Sequence, residues 1–120
     1  MKILVVDDER MILTLTEKLL KQAGFEVDLA QSGKSALDII KVEPEKFDMV
    51  LLDMTMPGLS GIETLSKIRE INPDLPCILS SGHDTAEIRL PDDLALNTHF
   101  LEKPFMVGQL TAKIKEILKI

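Results

Sequence analysis

KILVVDD, residues Lys2 to Asp8, is a short apolar run that ends abruptly in two carboxylates. Four further apolar runs follow it along the chain: FEVDLA (25–30), FDMVLL (47–52), LPCILS (75–80) and THFL (98–101). Three of the five runs are almost continuously apolar, which is typical of strands that are covered on both faces in a parallel sheet. These runs therefore predict five buried strands, beginning with 2–6.

The segments between the runs carry the apolar spacing of amphipathic helices. Apolar residues recur at helical spacing in 12–23, 62–71 and 107–118. Ser60 followed by Glu63 is a capping-box signature, which predicts a helix start. Gly24 follows the first helix at the place of a left-handed cap. The alternation predicts five β–α units, that is, a doubly wound α/β sandwich around a five-stranded parallel sheet.

The segment 83–97 is an exception to this regular alternation. Pro91 lies in its middle and should stop or kink any helix there. No linker, repeat or low-complexity stretch divides the chain of 120 residues, which is long enough to bury roughly two-thirds of its unfolded surface. We therefore expect one domain over residues 1–120.

The charge and composition exclude several classes of protein. The net charge is −6, from 14 basic and 20 acidic residues without a basic run, which argues against direct contact with nucleic acid or anionic membranes. Asp7 and Asp8 interrupt the opening apolar run, unlike a signal sequence, and no apolar stretch approaches the roughly 20 residues that span a bilayer. Cys77 has no partner for an internal disulfide. We expect a cytoplasmic protein.

Polar residues follow the predicted strands at the edge where parallel α/β sheets bind ligands. They are Asp7, Asp8, Asp53, Ser80, Ser81 and Lys103. Taken singly, each could be a helix cap, a turn residue or a solvated side chain. Two carboxylates about 4 Å apart, however, repel by roughly 4 kcal/mol at an effective dielectric near 20, so three together need a counter-charge. A divalent cation and Lys103 would supply it.

The ligand types indicate which cation this would be. Oxygen donors without a nearby His or Cys set suit Mg²⁺, which keeps several waters and accepts phosphate oxygens. A carboxylate beside Mg²⁺, faced by an ammonium and a hydroxyl, fits phosphoryl transfer to an aspartate. We expect Lys103 to hold a phosphoryl oxygen when one is present and an aspartate when none is, with Pro104 fixing the chain direction.

ILVVDDE, LLDMTMPGLSG, ILSSG and FLEKPF resemble the four signature blocks of the response-regulator receiver domain of two-component signalling, including the chemotaxis regulators. The match spans the whole chain and includes the spacing between the blocks. The resemblance implies a flavodoxin-like (βα)5 fold and a phosphoryl group taken from a sensor histidine kinase or phosphotransfer protein. It also implies altered binding to a downstream protein or output domain, and no catalysis beyond the protein's own phosphorylation and dephosphorylation.

The resemblance also implies a role for each residue of the acidic cluster. Asp53 resembles the phospho-accepting aspartate, and Asp8 resembles the direct Mg²⁺ ligand. Asp7 resembles the acidic partner that acts on the metal largely through water. Thr55 resembles the residue whose backbone carbonyl completes the metal site.

The remaining signature positions correspond to the switch of the family. Ser81, rather than Ser80, occupies the hydroxyl position, and Lys103 occupies that of the lysine. Phe100 sits at the aromatic switch position, where it lacks the hydroxyl that a tyrosine would offer. Leu96 and Asn97 replace the usual Gly-Ala before the fifth strand, so that, with the proline in the fourth helical segment, we expect an atypical output face.

Two other functions are compatible with parts of the pattern. One is a receiver-like interaction module that is not phosphorylated, against which the complete set of signature residues argues. The other is a Mg²⁺-dependent phosphohydrolase, for which no second base is found. His83, two residues after Ser81, is either a solvated loop residue or a residue that tunes the lifetime of the phosphoryl group.

Overall fold

The computed structural model describes residues 1–82, 89–103 and 105–120. Within these ranges, strands and helices alternate along the chain. They are β1 (Lys2–Val6), α1 (Arg10–Gln22), β2 (Glu26–Ala30), α2 (Gly33–Val42), β3 (Met49–Asp53), α3 (Gly61–Ile71), β4 (Cys77–Ser81), α4 (Asp92–Ala95), β5 (Thr98–Glu102) and α5 (Val107–Leu118). The five predicted strand–helix units are confirmed. None of the helices in the described ranges combines the length and the hydropathy needed to cross a bilayer.

The strands form one parallel sheet in the order β2-β1-β3-β4-β5. This is the flavodoxin-like order, and the predicted doubly wound fold with a central five-stranded parallel sheet is confirmed. The chain leaves β1 towards one edge and returns beside it as β3, so the order reverses between these two strands. In such sheets, ligands bind outside the carboxyl ends of the strands at this reversal. The fold thus places the ends of β1 and β3 side by side.

Two apolar cores cover the two faces of the sheet, because successive strand residues point to opposite sides. On one side, Leu4, Val50, Leu52 and Leu79 pack against α2, α3 and α4. On the other side, Ile3, Val5, Leu51 and Ile78 pack against α1 and α5. Burial on both faces explains why β1, β3 and β4 read as continuous apolar runs.

The helix caps follow the signals in the sequence. The Ser60 hydroxyl accepts a hydrogen bond from the Glu63 N–H at 3.2 Å, and the Glu63 carboxylate accepts one from the Ser60 N–H at 3.0 Å. This is the predicted capping box. Gly24 has a φ of +97°, the left-handed conformation expected after the first helix.

The fourth helix is short, as the proline predicts. α4 begins directly after Pro91 and comprises four residues. A proline is compatible with the entry to a helix but not with its interior, so the helix starts behind it. Thr98 fixes α4 to the sheet by donating a hydrogen bond from its hydroxyl to the Leu94 carbonyl at 2.6 Å. His83 and Pro104 lie outside the described residues.

Candidate functional site

Three aspartates from two adjacent strands meet at the carboxyl edge of the sheet. Asp7 and Asp8 directly follow β1, and Asp53 is the last residue of β3. Ligand oxygens of the three side chains lie within 4.8 Å of one another. Asp7 and Asp53 are buried, with 3% and 7% of their surface exposed, whereas Asp8 faces solvent. The structure therefore brings together the three carboxylates that the sequence placed at this edge.

Asp7 takes part in both local structure and the cluster. Its Oδ1 accepts a hydrogen bond from the Glu9 N–H at 3.0 Å, in the turn that leads into α1. This contact is a turn between Asp7 and Glu9 and not a cap of α1, whose N-cap is Glu9 itself, so the turn accounts for one oxygen of Asp7. Its Oδ2 accepts a hydrogen bond from Lys103 Nζ at 3.1 Å, which the turn does not explain.

Lys103 joins the two buried aspartates. Its Nζ lies 3.1 Å from Asp7 Oδ2 and 3.3 Å from Asp53 Oδ1, while its backbone N–H donates to the Ser81 carbonyl and extends the pairing of β5 with β4. Burial acts to lower the pKa of Lys103, but the hydrogen bond and charge of Asp7, together with Asp53, raise it above its ordinary value. The lysine therefore holds two aspartates where the sequence predicted one.

The environment of Asp53 disfavours the ionised form of its carboxyl group. Burial raises its pKa above the ordinary value, and although the charge of Lys103 lowers it, the charge of Asp7 adds to the increase. One ammonium faces three carboxylates within the described residues, so negative charge remains uncompensated. A bound cation would remove this cost.

An open cavity of about 600 Å³ lies above the cluster. Its lining consists of Asp8, Glu9, Asp53, Thr55, Met56, Pro57, Gly82 and Lys103. The charged groups of this lining are oxygen donors and one ammonium, and the cluster contains neither His nor Cys. This donor chemistry fits a hard divalent cation. Thr55 is exposed beside the cluster, and its N–H donates to Asp53 Oδ1 at 3.4 Å.

Gly61 is a site-positioning residue that the sequence reasoning missed. A Cβ at this position would lie 2.5 Å from the Asp53 carbonyl oxygen and 2.6 Å from the Met54 Cα. The Gly61 N–H also donates to the Met54 carbonyl at 3.0 Å. The first residue of α3 thus packs directly on the backbone that carries Asp53. The sequence signal for this role was the glycine that directly follows the predicted cap Ser60.

The two predicted switch residues lie on one face of the sheet. Ser81 is the last residue of β4 and is 3% exposed. Phe100 is half-buried against the core beneath α2, α3 and α4, and it pairs in register with Leu79, two residues before Ser81. Strand alternation therefore places both switch positions on the α4 side, opposite the side of Leu51 and Ile78.

Comparison with known proteins identifies the family of the chain. The family model of the response regulator receiver domain matches residues 3–115. The chain belongs to this family. As a receiver domain, it is part of the two-component systems, and its fold is that of the solved receiver domains it matches.

Relatives and solved structures agree on the receiver fold. The chain is 35% identical over 118 residues to the response regulator MprA of Mycolicibacterium vanbaalenii, covering 98% of this chain and 50% of that protein. The receiver domain protein of Clostridium thermocellum is 33% identical, with a TM-score of 0.85 and coverage of 98% and 94%. NtrX of Brucella abortus is 32% identical with a TM-score of 0.82, and the match covers 98% of this chain and 27% of NtrX. The receiver thus spans about half the length of the curated relatives it matches.

Proposed function

We propose that this receiver accepts a phosphoryl group on Asp53 from a sensor histidine kinase or phosphotransfer protein. The observation that carries the proposal is the Lys103 ammonium, which lies between Asp7 and Asp53 inside a cluster of three carboxylates. A structural role alone does not account for so much negative charge, since like charges at such distances repel by several kcal/mol.

Mg²⁺ is the proposed cofactor, which the carboxylates of Asp8 and Asp53, the backbone carbonyl of Thr55 and, largely through water, Asp7 would hold. When bound, it would supply positive charge to the oxygens of the transferred group. Asp7 contributes here mainly by orienting the lysine and, through water, the metal.

The chain's own residues provide the nucleophile and part of the charge compensation. A carboxylate oxygen of Asp53 forms the new bond to phosphorus while the bond from phosphorus to the donor breaks, and the donor keeps that electron pair. Lys103 and the Ser81 hydroxyl stabilise the charge on the equatorial oxygens. Hydrolysis of the product returns Asp53, so the catalysis is confined to the protein's own phosphorylation and dephosphorylation.

Phosphorylation is proposed to change the surface near α4 and β5. Ser81 and Phe100 lie on the same face of the sheet, so a shift of the hydroxyl towards a phosphoryl group would be felt at the aromatic ring. This surface would then bind a downstream protein or an output domain differently. We expect phosphoryl transfer and partner binding to take place in the cytoplasm, and without direct contact with nucleic acid or membrane.

The deciding experiment is incubation with Mg²⁺ and acetyl phosphate, followed by mass spectrometry of the product. A base-labile adduct of one phosphoryl group, mapped to Asp53, is expected for the wild type. Asp53→Asn should give none, and neither should wild type treated with a chelator. Asp38→Asn on α2, an exposed carboxylate outside the site, is the matched control and should be labelled normally.

Two results would contradict the proposal. The absence of an adduct on wild type would favour a receiver-like interaction module that is not phosphorylated. Sustained turnover of small phosphate esters, undiminished in Asp53→Asn, would instead favour a phosphohydrolase.

A further inference from the structure

β4 ends in two buried hydroxyl side chains, of which the proposed function uses only one. Ser80 and Ser81 are each 3% exposed. Successive residues of a strand face opposite sides of the sheet, so the two hydroxyls serve different faces. Ser81 shares its face with Leu79 and Phe100, and Ser80 therefore faces α1 and α5.

The strand register places Ser80 between the acceptor and the lysine. Ser80 pairs with Asp53 on β3 and with Leu101 on β5. Leu51, Ile78 and Leu101 contribute to the core beneath α1 and α5. The residues two positions further along the three strands are Asp53, Ser80 and Lys103. All three therefore lie on this face, with Ser80 in the middle.

The ion pair between Lys103 and Asp53 spans β4, the strand that carries Ser80. It joins the ends of β5 and β3 at 3.3 Å, and β4 lies between these strands. Neighbouring strands are about 4.8 Å apart, so the lysine side chain must cross β4 to reach Asp53. By strand register, Asp53 and Lys103 share the face that carries the Ser80 side chain, so Ser80 borders this crossing.

Ser80 has unused hydrogen-bonding capacity at this crossing. None of the hydrogen bonds found among residues 1–82, 89–103 and 105–120 involves its hydroxyl. Among these residues the fully buried side-chain nitrogen or oxygen without a partner is Arg69 Nε, so the Ser80 oxygen keeps some access to solvent and is available as an acceptor. The ammonium has three N–H donors, and the contacts with Asp7 and Asp53 account for two of them.

We propose that Ser80 is a positioning residue for Lys103 in the phosphorylation of Asp53. When the ammonium turns from the aspartates towards a phosphoryl oxygen, the Ser80 hydroxyl accepts its third N–H and keeps it over β4, beside Asp53. Without this acceptor, a partly buried ammonium that leaves Asp7 loses a hydrogen bond and moves towards solvent. The inference rests on the proposed function and assigns a role to the second serine of β4.

The test uses three substitutions that separate the hydroxyl from the volume of the side chain. Ser80→Ala removes the hydroxyl, while Ser80→Thr and Ser80→Val have nearly the same shape and differ in the hydroxyl. The rate of adduct formation is measured over a range of acetyl phosphate concentrations, and Mg²⁺ affinity is measured separately by thermal shift. Ser80→Ala and Ser80→Val should lower the rate at saturating donor about fivefold, or about 1 kcal/mol.

A positioning role and a structural role differ in whether the rate alone changes or donor and Mg²⁺ binding change with it. The half-saturating donor concentration and the Mg²⁺ affinity should stay unchanged in Ser80→Ala, and Ser80→Thr should restore most of the rate. An unimpaired Ser80→Ala, or equal impairment of Ser80→Thr and Ser80→Val, would overturn the inference while leaving the proposed function intact. A wild-type protein that forms no adduct would overturn both.

Discussion

At the scale of single residues, Lys103 determines how the acidic site is held together. It comes from the end of β5 and contacts carboxylates at the ends of β1 and β3, so one side chain ties three strands. Because it is the cation found in the described part of the cluster, its removal leaves Asp7 and Asp53 without compensation. Its positive charge, held between the two aspartates, also makes Lys103 the residue that would respond to a phosphoryl group.

Lys103→Ala should separate metal binding from the conformational response. The variant should still bind Mg²⁺, since the carboxylates remain, and the loss of a nearby positive charge does not oppose a cation. On phosphorylation it should fail to shift the amide resonances of β5 and of the region around Phe100, as followed by NMR. Lys67→Ala, an exposed lysine on α3, is the control and should respond like the wild type. A normal shift in Lys103→Ala would contradict the role given to the lysine.

At the scale of elements, the start of α3 positions the acceptor. The capping box of Ser60 and Glu63 fixes where the helix begins, and Gly61 lets its first turn lie against the backbone of Asp53 and Met54. The loop from Asp53 to α3 includes Gly58, which has a φ of +75°. Helix start, turn and acceptor therefore form one unit, and a change in the helix start should affect the site.

Gly61→Ala should destabilise the protein by about 1–3 kcal/mol, because a methyl group has no room against a carbonyl oxygen. It should also slow the phosphorylation of Asp53, whose backbone must move. Gly108→Ala on α5 is the matched control, since a Cβ there meets nothing within 4 Å. A helical alanine at that site should raise stability by about 0.5–1 kcal/mol. Equal unfolding midpoints in urea for the two variants would contradict the packing argument.

The capping box should give the helix a measurable pH dependence. The hydrogen bond from the Ser60 N–H lowers the pKa of Glu63 below its ordinary value of 4.5. Because the carboxylate is favoured in the folded state, this contribution is present above pH 4.5 and is lost as the pH falls through the folded-state pKa. Glu63→Gln should therefore be less stable than wild type near neutral pH, and the difference should shrink in acid. Urea unfolding at several pH values measures it.

Removal of the Ser60 hydroxyl tests the other half of the capping box. Ser60→Ala should cost about 1 kcal/mol, since it removes the acceptor for the Glu63 N–H, and most of this loss should persist in acid because the backbone hydrogen bond from Ser60 is the larger cause of the lowered pKa of Glu63. A pH-dependent loss in Ser60→Ala that exceeds that in Glu63→Gln would contradict this division of roles.

At the scale of the whole molecule, stability and cation binding are linked. The sheet order brings the ends of β1 and β3 together, and the folded state is thereby destabilised by the charge of Asp53. Since the pKa of Asp53 is raised, the ionised carboxylate destabilises the folded state at neutral pH, and this cost disappears as the pH falls below the ordinary value of 3.8. A ligand that binds the folded state alone offsets such a cost.

Thermal unfolding with and without Mg²⁺ should show this linkage. Asp53→Asn should be more stable than wild type without metal, because it removes a disfavoured charge. Saturation with Mg²⁺ at about 100 times its Kd should stabilise wild type by about 2.7 kcal/mol. The variant should gain much less, whereas Asp38→Asn should behave like wild type. A wild-type midpoint that is insensitive to Mg²⁺ would contradict the metal site.

The sequence alone determined the alternation of elements, the parallel sheet and the residues at its edge. Burial on both faces requires continuous apolar runs, and capping requires Ser60 and Glu63, so these features are written in local patterns. Only the tertiary structure decided which residues meet: that Lys103 contacts both Asp7 and Asp53, that Gly61 packs on Asp53, and that Ser80 pairs in register with Asp53. These contacts depend on strand order and register, which bring together residues far apart in the chain, and no local periodicity encodes such distances.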